Sequence, residues 1–102
     1  MYRLTKDPKY REWGWEIFNA FNSNMKVEGG FASVGDVNRN PSPRTNKMES
    51  FFLAETLKYL FLLFGDNDSI LKLNEWVFNT EAHPLPVWND KSQPQMTFNL
   101  NY

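Results

Sequence analysis

Apolar residues recur at helical spacing in two stretches of the chain, and they crowd the second until no polar face is left. After Asp7-Pro8, an N-cap residue followed by a proline suited to the first turn, Tyr10, Trp13, Ile17, Phe18 and Phe21 fall on one stripe and predict a helix over residues 8–22. Gly14 lies inside it at a cost of roughly 1 kcal/mol relative to Ala, which points to close approach of another element. The second stretch, KMESFFLAETLKYLFLLF over residues 47–64, is apolar around nearly its whole circumference, the pattern of a helix enclosed by others. Asn46 with Glu49 three residues later has the form of a capping box, and Gly65 suits a left-handed C-cap. Glu55 stands in the middle of this run, where an unpaired carboxylate needs a partner, a polar ligand or water.

Between and beyond the helices the signals are shorter. Gly29-Gly30, between short apolar runs, predicts a small hairpin within residues 26–34, and the Asn, Pro and Ser of residues 35–45 predict an irregular surface loop. Residues 66–72 read as a turn, residues 76–78 as a short extended run, and the chain after Pro84 as a coiled tail. No internal period or domain boundary is evident, so residues 1–102 are expected to belong to a single domain. Two helices, one hairpin and a tail close a core poorly, and a single neighbour cannot enclose the second helix.

Composition sharpens that point. Nine Phe, four Trp and four Tyr are many rings for a chain of this size, which removes only about two-thirds of its unfolded surface from water, so some rings should pack against something outside the sequence. A formal charge of -1 with interspersed signs gives no electrostatic reason to expect a nucleic-acid partner. The absence of cysteine excludes disulfides and thiolate zinc sites. MYRLTKDPKY has no signal-peptide core, and the apolar run at residues 59–64 is far short of the roughly 20 residues a spanning helix needs, so this segment is expected to make no membrane contact. The lone His83, before Pro84, lacks the companions of a zinc site or a triad and is expected to be a structural hydrogen-bonding residue.

Two groups of residues suggest chemistry. Phe51 and Glu55 stand four apart on the same helical face, so a ring could pack on the C–H face of a sugar while a carboxylate accepts hydrogen bonds from its hydroxyls. The competing reading makes Phe51 a core residue and pairs Glu55 with Lys58 or Lys47. In FNTEAHPLP, residues 78–86, Thr80 and Glu81 offer the hard oxygen ligands that calcium prefers, although they could equally be ordinary turn residues and no EF-hand loop is present.

KMESFFLAETLKYLFLLF followed by WVFNTEAHPLP resembles the C-terminal end of the class I alpha-1,2-mannosidases, glycoside hydrolase family forty-seven. The resemblance extends to YREWGWEIFNAF at residues 10–21 and VEGGFASVGDVN at residues 27–38, in the order seen in that family, and covers essentially the whole chain. It implies a mainly α structure, the C-terminal portion of an (α/α) helical barrel with a small β-hairpin and an extended C-terminal tail. It further implies that Phe51 packs on the mannose ring, that Glu55 helps bind it, that Thr80 holds Ca2+ through its hydroxyl and carbonyl, and that Glu81 holds waters or sugar.

The family inverts configuration, which requires a general acid and a general base on opposite faces of the sugar. Those carboxylates lie upstream in the family, one of them in an Arg-Pro-Glu motif, so no catalytic acid or base is assigned within residues 1–102. RTNKMESF, residues 44–51, departs from the approach seen in many relatives and bears on loop geometry alone.

The resemblance implies the last part of a hydrolase catalytic domain whose partners are the rest of the barrel upstream of Met1 and the high-mannose N-glycans of glycoproteins. It places the activity in N-glycan processing, in the endoplasmic reticulum or Golgi lumen, with the parent anchored by a membrane helix outside this sequence. Two other readings stand beside it: a noncatalytic mannosidase-like protein of glycoprotein degradation that binds glycans or misfolded clients, and an unrelated small helical interaction domain.

Overall fold

The computed structural model describes residues 1–66 and 70–88. It opens with one helical turn, α1 (Tyr2–Thr5), which ends where Lys6 adopts a left-handed φ of 56°. A single turn is too short for periodicity to announce it. The Asp7 carboxylate accepts the Lys9 N–H at 3.0 Å and starts α2 (Lys9–Asn24), which runs two residues beyond the expected end. Asp7 and Lys9 also pair at 2.9 Å. The hydrogen bond between their side chains holds the Asp7 carboxyl below its ordinary value and the Lys9 ammonium above it.

The stripe that faces the rest of the molecule differs from the expected one. Gly14 is the buried residue of α2, and Arg11, Phe18 and Phe21 continue its line inward. Trp13 and Ile17 remain 53% and 49% exposed on another side. Gly14 sets this line because a backbone without a side chain can approach a neighbouring helix most closely.

β1 (Lys26–Val27) and β2 (Gly30–Phe31) form the expected hairpin, paired Lys26↔Phe31 and Val27↔Gly30, with Gly29 turning at a φ of 83°. β3 (Ser33–Val34) pairs antiparallel with β4 (Arg44–Thr45), so the end of the segment expected to be an irregular loop is instead a strand. Lys47 extends this contact, since its carbonyl accepts both the Ser33 N–H and the Ser33 hydroxyl at 2.9 Å.

That attachment delays the second helix, which begins at residue 50 and not at 47. Asn46 forms no capping box, and Glu49 pairs with Lys47 instead. The helix continues as a π-helical segment (Phe52–Leu57) and then as α3 (Lys58–Phe64). Gly65 is extended, with φ −63° and ψ 131°, in place of the expected left-handed cap. The Gly65 N–H still donates to Phe61 O at 3.0 Å, and two arginines take other carbonyls near the helix end. Arg11 donates to Leu63 O at 2.9 Å and Gly65 O at 3.1 Å, and Arg3 donates to Leu62 O at 3.3 Å. Arg11 also lies 4.1 Å from the centre of the Tyr2 ring, and Arg3 reaches Ile70 O and Leu71 O at 2.8 and 3.1 Å.

β5 (Trp76–Phe78) pairs antiparallel with β6 (Pro84–Pro86), so the chain from Pro84 starts as a strand before any tail. Residues 89–102, the rest of the expected tail, and residues 67–69 of the expected turn lie outside the described residues.

The described structure is mainly helical with small hairpins, and its core is slight. Phe52 is enclosed by Phe21 and Phe31, with ring centres 5.4 and 4.9 Å away, while Ala32 and Ala82 complete the buried apolar set among the described residues. Phe61 on α3 is 65% exposed and Leu53 54%. Trp15, Phe18, Leu57, Leu60, Phe61 and Phe64 line an open groove of about 410 Å³ between α2 and the second helix. The helix expected to be enclosed thus packs against α2 and keeps an exposed apolar side among the described residues. No helix among the described residues is long and apolar enough to cross a membrane.

A Cβ built at Gly14 would overlap Leu63 Cδ2 and lie 3.3 Å from Phe64 Cζ. Gly14→Ala sets a gain of roughly 1 kcal/mol in helix propensity against displacement of the Leu63 Cδ2 methyl, the free end of a flexible side chain, and should move the urea midpoint of unfolding little, whereas Gly14→Leu should cost about 1–3 kcal/mol net through overpacking. A raised midpoint for the Ala variant would show that Leu63 moves aside freely.

Candidate functional site

The two adjacent phenylalanines of the MESFF motif separate into different roles. Phe52 is 8% exposed and belongs to the core, whereas Phe51 is 54% exposed and borders a cavity of about 110 Å³ with Phe31, Met48 and Glu49. The reading of Phe51 as a core residue is thereby corrected. One helical step separates the positions, and the β2 and α2 rings can take only one of them.

Glu55 lies in the π-helical segment and is half-buried. Its carboxylate forms no hydrogen bond or ion pair with another described residue. Both lysines that could have neutralised it are engaged elsewhere. Lys58 donates to Ala82 O at 2.9 Å, and Lys47 pairs with Glu49. The local reading of Glu55 as one half of an intrahelical ion pair therefore fails. A carboxylate that is partly withdrawn from water with no protein partner keeps all its acceptor capacity for hydroxyls or water. π turns, which bond residue i to i+5, occur often at functional positions, and this one coincides with the charge.

Thr80 and Glu81 occupy the connection between β5 and β6 and are both exposed. Asn79 organises this turn. Its side-chain oxygen accepts the N–H groups of Glu81 at 3.0 Å and His83 at 2.9 Å, and its backbone N–H donates to His83 O at 3.1 Å. Ala82 N–H returns to Asn79 O at 3.1 Å, and Ala82 itself is fully buried with a left-handed φ of 58°. With its hydrogen bonds so directed, the turn leaves the hydroxyl and carbonyl of Thr80 without a partner among the described residues. The His83 backbone closes the turn, while its ring is exposed, with Nδ1 3.5 Å from Asn79 Nδ2 and 3.9 Å from Glu81 Oε2.

The two groups are joined through the helix. Besides the Lys58–Ala82 hydrogen bond, the Tyr59 and Phe78 rings meet edge to face at 5.5 Å. Phe51 and Glu55 thus belong to the helix against which the Thr80 turn is packed. The sequence reading missed Asn79 and Ala82. Asn opening a short connection before His-Pro was a usable signal for a side-chain-closed turn, whereas nothing in a lone Ala announces a left-handed backbone.

In chemical terms, Phe51 offers an apolar ring face, Glu55 an unpaired anionic acceptor, and Thr80 two neutral oxygens. No group of three or more His, Cys, Asp or Glu side chains suited to a metal occurs among the described residues. The Thr80 oxygens are hard donors, suited to a hard cation that draws the rest of its shell from elsewhere.

The family model described as glycosyl hydrolase family 47 matches residues 1–87. Mannosyl-oligosaccharide 1,2-alpha-mannosidase MNS3 of Arabidopsis thaliana is 60% identical over 88 residues, covering 85% of this chain and 14% of that protein. The endoplasmic reticulum mannosyl-oligosaccharide 1,2-alpha-mannosidase of Homo sapiens is 56% identical over 91 residues, 86% of this chain and 13% of that protein. Mannosyl-oligosaccharide 1,2-alpha-mannosidase MNS1 of Arabidopsis thaliana is 54% identical over 96 residues, 92% of this chain and 17% of that protein. The chain therefore spans only about one-seventh of the length of the relatives it matches.

Because Glu55 holds no ion pair, Glu55→Gln should leave folding stability within about 0.5 kcal/mol of the parent or raise it slightly. Chemical unfolding of the two proteins checks this. A loss above roughly 1 kcal/mol would return Glu55 to a structural role.

Proposed function

The chain belongs to glycosyl hydrolase family 47, and from that premise we propose that it is the sugar- and calcium-binding C-terminal part of a mannosyl-oligosaccharide 1,2-alpha-mannosidase. The whole enzyme would remove terminal α-1,2-linked mannose from high-mannose N-glycans in the lumen of the endoplasmic reticulum or Golgi. The observation that carries this reading is the unpaired Glu55 carboxylate on the helix that also presents the exposed Phe51. An anionic acceptor beside a ring face suits a pyranose, whose C–H face is apolar and whose rim carries hydroxyls.

In this reading Phe51 packs against the mannose ring and fixes its plane. Glu55 accepts hydrogen bonds from its hydroxyls, and Glu81 holds further hydroxyls or water. The hydroxyl and carbonyl of Thr80 would hold Ca2+, and the free state of both oxygens fits that task. A bound calcium would supply a positive centre that orients sugar hydroxyls and water. A single residue supplies few ligands, so affinity depends on the surrounding chain holding the turn and the other oxygens in place.

Inversion needs an acid to protonate the leaving oxygen and a base to activate water on the opposite face. We assign neither to residues 1–102. They would come from the chain that precedes these motifs in a complete enzyme, the same chain that would enclose the helix bearing Glu55. The groove lined by Trp15, Phe61 and Phe64 fits such packing, with the present elements forming the last portion of an (α/α) barrel.

In the complete enzyme Thr80→Ala should weaken calcium binding and lower turnover together, each by roughly tenfold or more. Titrations of calcium binding and of mannose release check this, and full activity in excess chelator would sink the assignment. Glu55→Gln should lower kcat/KM on an oligomannose glycan by about 10–100-fold, the equivalent of one charge-assisted hydrogen bond. Unaltered kinetics would remove Glu55 from the sugar site.

A further inference from the structure

Lys58 lies one turn beyond Glu55 on the same helix, close enough in sequence to neutralise it, and yet its ammonium turns away. It donates to the carbonyl of Ala82, 24 residues along the chain, at 2.9 Å in a part-buried setting. Among the described residues this is the one hydrogen bond between the helix that carries Glu55 and the turn that carries Thr80.

The acceptor is an unusual one. Ala82 is fully buried and left-handed, a backbone state that a residue with a Cβ keeps only when its surroundings impose it. Its N–H is used within the turn, by Asn79 O, but no described backbone donor takes its carbonyl. Asn79 closes the turn from inside through Glu81 and His83, and Lys58 holds it from outside. Thr80 sits between these two restraints with both oxygens free. The Tyr59–Phe78 contact at 5.5 Å supports the hairpin at its base but makes no hydrogen bond to the turn.

We propose that Lys58 is a positioning residue: its ammonium tethers the 79–83 turn to the helix and so sets the Thr80 oxygens relative to the Glu55 carboxylate. The part of this inference that concerns calcium rests on the function proposed above, whereas the tether stands on the hydrogen bond itself. The arrangement also explains why Glu55 keeps a free carboxylate although a lysine is one turn away. The ammonium is satisfied by a carbonyl and its long stem spans to the turn, so the acid is left available to a ligand.

The test compares Lys58→Met, which keeps the stem and removes the donor, with Lys58→Arg, which keeps a cationic donor, in the native polypeptide. Amide hydrogen exchange is followed at Glu81, Ala82 and His83, with the Met25 amide at the end of α2 as a control, and calcium is titrated separately by its effect on melting temperature. Lys58→Met should speed exchange in the turn by about tenfold and leave Met25 unchanged. It should also raise the calcium concentration for half-saturation several-fold, and Lys58→Arg should restore most of both effects. Lys58→Gln, too short to span the gap, replaces the Met variant if that one fails to accumulate folded.

Unchanged exchange in the turn would overturn the proposal. So would equal acceleration at Met25, which would mark general destabilisation. If the parent protein shows no calcium saturation while Lys58→Met still frees the turn, the tether is upheld and the calcium reading of Thr80 falls. If calcium binds the parent and Lys58→Met alters neither exchange nor saturation, the tether falls and that reading stands.

Discussion

At Gly14 the backbone of α2 lies against Leu60, Leu63 and Phe64 of α3, close enough that a side chain there would collide with Leu63. That approach brings Arg11, one turn earlier, to the open carbonyls at the end of α3 and lets its guanidinium stack on Tyr2. Arg3 adds Leu62 and the chain at Ile70 and Leu71 to the same clamp. Further along α2, the same line places Phe21 against Phe52, which is the centre of the small core. The position of the second helix, and with it the site, depends on this one close contact.

The adjacent phenylalanines show how little separates a core residue from an exposed one. Phe52 fills the space left by Phe21 and Phe31, so its neighbour Phe51 is turned outward. The π turn then carries Glu55 to a half-buried position with no partner, because Lys58 and Lys47 are committed to Ala82 and Glu49. A half-buried acid without a partner is costly unless something else occupies its lone pairs. The exposed apolar faces of both helices are a similar unpaid term, since Trp15, Phe61 and Leu53 stay about half or more in water. Both features lie at the surface of the described elements, and this sequence matches only 13–17% of the length of its relatives.

Residue type and local order alone were enough to read both helices, the Gly29 hairpin, the 76–78 strand, the close approach at Gly14 and the family. These features rest on periodicity, on backbone preferences of Gly and Pro, and on ordered motifs, all of which are local. Tertiary contact decided the rest. Ser33 holds Lys47 outside the helix and so cancels the Asn46–Glu49 cap, and two arginines take carbonyls at the end of α3 beside an extended Gly65. Tertiary contact also decided which phenylalanine of the pair is core, and that Lys58 reaches across 24 residues to Ala82 in preference to the acid one turn away. The physical reason is that a cap, a lysine or an aromatic ring has several partners within reach of its local chain. Which one it takes depends on the carbonyls and rings that distant segments bring within hydrogen-bonding or van der Waals distance, and local order does not encode that choice.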